Sequence, residues 1–561
     1  GAPPMPAWSS STRCASCMSR SPASQPRPRS SRSFLRACLS RLQFREPNYA
    51  GGTQPFKTKP TARHFDSPAG TRYQMHRRQG GGKQAMLIDF SFSNFKSYRD
   101  EQRFSMRRPT NAQKHEENDW PHRDISTVAG IYGGNASGKS AFIEAFMFVA
   151  DFVVRGFDPR FDLAARCQPF RLDEESRKKP SDFLADFIAA DGKRYLFELS
   201  IESGTVAFES LRTYKGNRSS RIYERERMDE GIYAYRYGQH FSGMKRPLEQ
   251  MTRPDAPFIA VLYAANVSLA KPVYGFFRNR VGFFQADLYH AELDNLALEL
   301  KKGSPVAAAL SRLMASSNLG ISVVQRKDPL EELQKASQSA GNPSEGSYED
   351  LASGMLALSN PGLPLTERRK KAHDIAQLPP RPRYEFAFTH RGAGGFEETF
   401  SEKDESKGTL SVLAFFSLAL RLLSTRSVGF VDEIDSSLHP NYVQELVALF
   451  KDPLTNPHQS QLIFTTHDVS LITRTGADKR VLDQDQIWFA EKGRDGSSAL
   501  YPVTSVASSR WDENFGRNYL HGVYGASPRP GFHEAFAQAE RDIGSALQSV
   551  GCTAEAFGGE A

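Results

Sequence analysis

From Met86 onward the chain alternates between two apolar rhythms, one with the period of a strand and one with that of a helix. Residues 87–95 (LIDFSFSNF) alternate apolar and polar side chains, which predicts a half-buried strand. Phe104, Ser105 and Met106 predict a second strand after a turn at 98–100. Residues 125–132 (ISTVAGIY) read as a short buried strand, and 141–152 (AFIEAFMFVADF) as an apolar helix. Strands are then predicted at 183–189, 194–201 and 206–214, the first two joined by an Asp191-Gly192 turn. Their succession predicts an antiparallel sheet beside the first strand and helix.

Residues 256–318 are mixed and more helical in pattern. A strand at 384–389 re-enters the core, followed by a strongly apolar helix at 410–423. Residues 428–431 and 461–465 are short apolar runs suited to neighbouring strands of a parallel sheet. Residues 486–490 and 499–503 predict a closing hairpin around Asp495-Gly496. Between the halves, 328–381 hold Pro, Ser, Gly and the run Glu367-Arg368-Arg369-Lys370-Lys371. This stretch reads as a partly helical insertion, its charge run a solvated face or, alternatively, a nucleic-acid contact. A surface helix with a frayed end is predicted for 529–561.

Charge changes the picture at one end only. The net charge is +8, but residues 1–85 carry 15 Lys+Arg against 2 Asp+Glu, a local +13, which leaves −5 for 86–561. The folded part is mildly acidic, so overall charge gives no support for nucleic-acid binding, although a local basic groove stays open. Residues 1–85 are rich in Ser, Pro, Arg and Gly without a sustained period and are expected to be disordered. They read as an upstream extension of the frame that begins at Met86, with an organellar transit peptide as the alternative. Five cysteines, three of them in this extension, fit a reducing, cytoplasmic setting. Cys14-x-x-Cys17 has no second pair or nearby His to complete a zinc site. No apolar run reaches the roughly 18 residues of a membrane-spanning helix.

The candidate chemistry begins at Gly133-Gly134-Asn135-Ala136-Ser137-Gly138-Lys139-Ser140, which fits G-x-x-x-x-G-K-[ST]. A strand, a Gly-rich turn and a helix N-terminus aim backbone N–H groups at one point and favour a bound anion. Lys139 is then expected to reach the β- and γ-phosphates of a nucleotide and Ser140 to hold Mg²⁺. The second stretch is Val428-Gly429-Phe430-Val431-Asp432-Glu433, which sets two carboxylates at the carboxyl end of a buried strand. Asp432 suits Mg²⁺, directly or through water, and Glu433 can act as general base on an attacking water. After the apolar run 461–464 comes Thr465-Thr466-His467-Asp468, where His467 is placed to sense a γ-phosphate. Glu405-Ser406-Lys407-Gly408-Thr409 opens the apolar helix and offers a second anion site. One subunit needs only one such site per triphosphate, so Ser406 and Gly408 are read as meeting the nucleotide of an opposite subunit. A plain N-cap is the alternative.

In this order the motifs resemble an ABC-type ATPase head, with a Gly-x-Asn-x-Ser-Gly-Lys-Ser loop similar to SMC, RecF and OLD-type proteins. The chain looks more closely like the bacterial AAA/ABC-like ATPases of anti-phage and abortive-infection systems, relatives of the Septu and RloC types. The stretches that carry the resemblance include GIYGGNASGKS, QPFRLDEES, ESKGT, GFVDEIDSSLHP, QLIFTTHD and ENFGRNYLHGVYGASP.

The resemblance implies an α/β fold: a P-loop NTPase ABC-type head with a mixed β-sheet, an antiparallel β-subdomain and an inserted helical region. The expected division is 1–85 extension, 86–270 first half of the head, 271–383 insertion, 384–528 second half and 529–561 tail. It also implies a phosphate loop of Gly133, Gly134, Asn135, Ala136, Ser137, Gly138, Lys139 and Ser140, with catalytic Lys139, Glu433 and His467. Ser140 and Asp432 are the implied metal residues, and Gln168 is the implied glutamine that senses Mg²⁺ and water. Residues 436–439 are the implied loop at a dimer interface, and Ser406 with Gly408 the signature contributed in trans. ESKGT departs from the full signature of transporter heads, so its trans contact rests on position.

The expected function is an ATP- and Mg²⁺-dependent ATPase whose heads dimerise across ATP, a sensor or switch in anti-phage defence. Its nuclease or toxin effector is expected on a separate chain. The alternative is an SMC/RecF-like ATPase of DNA repair or maintenance. Against it stand the acidic folded part and the lack of a heptad run at 270–400 long enough for an SMC arm.

Overall fold

The computed structural model describes residues 84–109, 121–216, 218–228, 231–239, 241–242, 244–286, 289–300, 304–327, 384–474, 480–506, 513–528 and 531–549. The basic extension up to 83, the charge run at 367–371 and the end of the tail lie outside the described residues.

Three sheets are present among the described residues. The central one is six-stranded. It contains β3 (Val128–Tyr132), β9 (Val281–Gln285), β13 (Val428–Asp432), β14 (Gln461–Thr465), β15 (Ile487–Lys492) and β16 (Ser498–Pro502), in the order β16-β15-β3-β14-β13-β9. Its pairs are parallel except β15 with β16, the expected hairpin. The second sheet is seven-stranded and antiparallel. It holds β1 (Met86–Ser93), β2 (Gln102–Ser105), β4 (Ser181–Ile188), β5 (Arg194–Glu202), β6 (Thr205–Lys215), β7 (Arg218–Arg227) and β8 (Tyr233–Tyr237), in the order β2-β1-β4-β5-β6-β7-β8. A small third sheet joins β10 (Ile321–Lys327), β11 (Glu385–Arg391) and β12 (Glu397–Ser401).

The central strands are buried on both faces, which is why they read as continuous apolar runs rather than alternating ones. Their side chains still alternate between two cores. In β3, Ala129 and Ile131 join the core shared with the antiparallel sheet, whereas Val128 and Tyr132 join the opposite core. In β15, Trp488 and Ala490 take the first side, Ile487 and Phe489 the second.

Helix α1 (Lys139–Arg155) fills the space between the two large sheets. Phe146 stacks on Phe430 of β13 at 4.6 Å and meets Phe90 of β1 edge-on at 5.0 Å. Phe142 reaches Phe104 of β2 at 4.9 Å. A helix apolar nearly all round is what such a sandwiched position requires. On the other face lie α2 (Lys407–Thr425) and α3 (Pro440–Lys451), with Leu413, Leu418, Val443 and Val447 buried there. By length and composition α2 could also cross a membrane, but 61% of its apolar window is buried inside the fold, as a core helix is.

The expected boundary at 271 does not follow the sheet. β9 lies beyond it, yet pairs in parallel with β13 and forms the edge of the central sheet. Five residues without amphipathic alternation cannot reveal their partner from sequence, and the pairing is decided 147 positions further on, where Val281 meets Val428.

Candidate functional site

The strand order brings three separate motifs to one sheet edge. β14 lies between β3 and β13, so the loops after these three strands open at the same carboxyl end. The first carries the phosphate loop, the second the Asp-Glu pair and the third Thr465 to His467.

The phosphate loop runs from β3 into α1 with Gly138 as N-cap at φ 113°, a left-handed value that an L side chain resists. A Cβ at Gly138 would also lie 2.7 Å from Ser498 Oγ and 3.0 Å from the Tyr98 ring. At Gly133 a Cβ would meet Ala490 O at 2.3 Å and Ser137 Oγ at 2.5 Å. Both glycines are thus fixed by close approach as well as by motif. The buried Tyr98 hydroxyl donates to Gly138 O at 3.0 Å, and burial raises its pKa, which keeps it a donor. Ser137 Oγ is buried and without a hydrogen-bond partner. An orphan hydroxyl inside a ring of loop amides fits a phosphate oxygen as its acceptor. Asn135, Ala136 and Ser140 are exposed.

Lys139 is buried at the mouth of this loop. Its Nζ donates to Gly133 O at 2.9 Å and Gly134 O at 3.2 Å, and lies 3.0 Å from His467 Nε2. Burial lowers the pKa of Lys139, opposed by the charges of Glu433, Asp432 and Asp435. His467 is also lowered, first by burial and then by the Lys139 ammonium.

The carboxylates are held from the neighbouring strand. Thr465, fully buried at the end of β14, donates through Oγ1 to Asp432 Oδ1 at 2.6 Å and accepts the Glu433 N–H at 2.8 Å. Its carbonyl accepts the Ile434 N–H at 3.0 Å. Glu433 sits at φ 54°, a conformation costly for a non-glycine residue and one that recurs at functional sites. Asp435 then accepts from Thr466 Oγ1 at 2.7 Å and from the His467 N–H at 3.3 Å.

Ser406 N-caps α2, its Oγ accepting the Thr409 N–H at 3.0 Å, so the capping reading of this residue is realised within the chain. A Cβ at Gly408 would lie 3.4 Å from Ser437 O, so the start of α2 touches the loop that follows the Asp-Glu pair. Gln168 does not fit its expected place as directly. Its side chain is exposed and its amide donates to Ala165 O at 3.1 Å, within its own turn. Its carbonyl accepts the Lys96 N–H at 2.8 Å, two residues from Tyr98. A short helix with little apolar pull leaves that side chain free to satisfy itself locally.

Sequence reasoning took residues 513–528 as part of the resemblance but gave them no contact with the site, and they press on the phosphate loop. Gly134 N–H donates to Ala526 O at 2.8 Å. Phe489 of β15 lies between Tyr519 and Tyr524, each at 5.5 Å, and Tyr501 donates to Tyr524 O at 2.9 Å. The cluster of Gly and Tyr in that stretch was the available signal. Thr465 and Asp435 were also missed as holding groups.

This sheet order, with the phosphate loop and the carboxylates on one edge and an antiparallel sheet packed across α1, defines an α/β P-loop NTPase with an ABC-type head. Residues 128–237 and 273–473, more than half of the chain, match the family described as "AAA domain, putative AbiEii toxin, Type IV TA system", and the chain belongs to that family of AAA/ABC-like ATPases. Among solved structures, the recombination mediator protein RecF of the RecFOR pathway is similar in two forms. The one titled RecF-ATPrS has 14% identity and a TM-score of 0.26, covering 75% of this chain and 99% of that one. The one titled RecF-ATP has 11% identity and a TM-score of 0.27, covering 76% and 100%. TM-scores this low add nothing to what the sheet order shows. No curated protein matches the chain.

Proposed function

We propose that the protein is an ATP hydrolase whose head binds ATP with Mg²⁺, pairs with a second copy across the nucleotide, and serves as a sensor or switch in anti-phage defence beside a separate effector chain. The observation that carries the reading is the meeting of Lys139 and His467 at 3.0 Å, beside the Asp432-Glu433 turn. A buried ammonium held only by carbonyls and a neutral ring is a cation ready to exchange those partners for phosphate oxygens. In this reading Glu433 takes a proton from water, and His467, once Lys139 leaves it and its ring proton stands on Nε2, donates to the γ-phosphate.

Ser140 and Asp432 supply oxygen donors, as a hard cation requires. Among the described residues no group of three or more His, Cys, Asp or Glu forms a closed metal cage. Mg²⁺ bound through one or two protein oxygens, phosphate and water suits such a set and would neutralise charge on the phosphates. For Gln168 to sense that shell, its amide would have to leave Ala165.

The exposed start of α2 at Ser406 and Lys407 supports the second copy, since it offers a helix N-terminus that the same subunit's phosphate loop does not use. The defence setting is supported by the toxin named in the family description.

The test is Glu433→Gln. ATP should still bind, turnover should fall on the order of 10²–10⁴-fold, and an ATP-dependent dimer should accumulate in gel filtration. Unchanged turnover would reject Glu433 as the general base, and ATP binding without any dimer would reject the composite site.

A further inference from the structure

Three consecutive residues, the last of β14 and the two after it, meet the turn after β13 in step. Thr465 holds residues 432–434, while Thr466 and His467 both hold Asp435. The Asp435 carboxylate receives the Thr466 hydroxyl and the His467 amide from the loop after β14, while its own backbone carbonyl takes the Leu438 N–H at 3.3 Å. The segment it belongs to continues through Ser437, at φ 63°, to the place where Gly408 abuts the Ser437 carbonyl. Two stiff connections therefore leave Asp435. One leads to the His467 ring and Lys139, the other to the start of α2.

We propose that Asp435 is a positioning residue: it sets the His467 backbone so that the ring faces the phosphate loop, and it transmits a shift of His467 to the 436–439 loop and the start of α2. This rests on the proposed ATPase reading. When His467 exchanges Lys139 for a γ-phosphate, its amide can move only by stretching the bonds to Asp435 or by carrying Asp435 along. Carrying it moves the carbonyl that faces Gly408. In a paired molecule, the state of one subunit's own nucleotide would thereby reach the surface that this subunit offers to the other's. The role calls for an acceptor of two hydrogen bonds and not for a negative charge.

That distinction makes the test. Asp435→Ala should lower kcat on the order of 100-fold, the cost of misplacing a catalytic group by about 1 Å, with KM for ATP unchanged because the phosphate loop keeps its contacts. Asp435→Asn keeps an acceptor oxygen and should recover most of that loss. Combined with His467→Ala, the Asp435→Ala change should cost nothing further, since both act through one ring. Thr466→Val removes one of the two bonds without touching an ionisable group and should give an intermediate loss even if Asp435→Ala fails to fold. Additive losses in the double variant, or an Asp435→Asn defect as large as that of Asp435→Ala, would overturn the proposal. If His467→Ala alone leaves turnover intact, the ATPase reading of His467 fails instead, which is a separate outcome.

Discussion

Lys139 Nζ and His467 Nε2 lie 3.0 Å apart, joining the first turn of α1 to the loop after β14, 328 positions along the chain. An ammonium can only donate, so Nε2 must accept and the ring must be neutral, with its proton on Nδ1.

This contact has a sign in pH. The His467 pKa is lowered from 6.5 in the folded chain, so below about that pH the unfolded chain binds the proton first. Stability contributed here is full above the ordinary histidine value and is lost as pH falls from that value through the lower one of the folded state. The denaturation midpoint of the nucleotide-free protein should drop between about pH 7.5 and about pH 5.5 by more than that of His467→Gln. Equal drops would mean that His467 does not carry a depressed pKa.

Lys139→Ala should remove nucleotide binding and ATP-driven dimerisation together. The ammonium is the buried cation of the loop, and its loss leaves the Gly133 and Gly134 carbonyls and His467 without their donor. Equilibrium binding of a fluorescent ATP analogue and light scattering measure the two effects. Dimerisation that survives the loss of binding would sink the composite-site reading.

Gly525→Ala should weaken ATP binding from outside the loop. Gly525 has φ 73°, which an L side chain resists; the Glu491 carboxylate beside the new Cβ can swing aside, but relief of the backbone strain would draw the neighbouring Ala526 carbonyl away from the Gly134 N–H it now accepts. We expect KM for ATP to rise about tenfold, the equivalent of one net hydrogen bond of about 1.4 kcal/mol, with kcat little changed. An unchanged KM would show that residues 513–528 do not support the loop.

Glu209→Gln should affect stability and not chemistry. Glu209 is fully buried in β6, where it takes the Tyr223 hydroxyl at 2.6 Å and the N–H groups of Phe258 and Ile259 at 2.7 and 3.0 Å, with buried Arg225 at 3.8 Å. Leaving Arg225 without its anion should cost about 3–5 kcal/mol, read by denaturant unfolding. A loss below about 1 kcal/mol would mean that the hydrogen bonds, and not the charge, hold this corner.

The sequence alone determined the elements whose cause is local. A nest of amides needs Gly at left-handed and crowded positions and a Lys next to the helix start, so Gly133 to Ser140 was legible as a phosphate loop. Apolar runs buried on both faces announced β13 and β14 as parallel neighbours, and they pair in parallel. Asp432, Glu433 and His467 were legible for the same reason, as polar residues ending such runs.

Tertiary structure decided what depends on partners far along the chain. Nothing within β9 says that it completes the central sheet beside β13. Thr465 and Asp435 look like ordinary polar residues until two loops from adjacent strands are laid side by side. The Ala526 carbonyl becomes part of the phosphate loop's support only because β15 and its aromatic side chains carry that segment to Gly134. Hydrogen bonds between distant loops leave no periodic trace in the sequence, because a single acceptor in the right place satisfies them and many residue types can supply one.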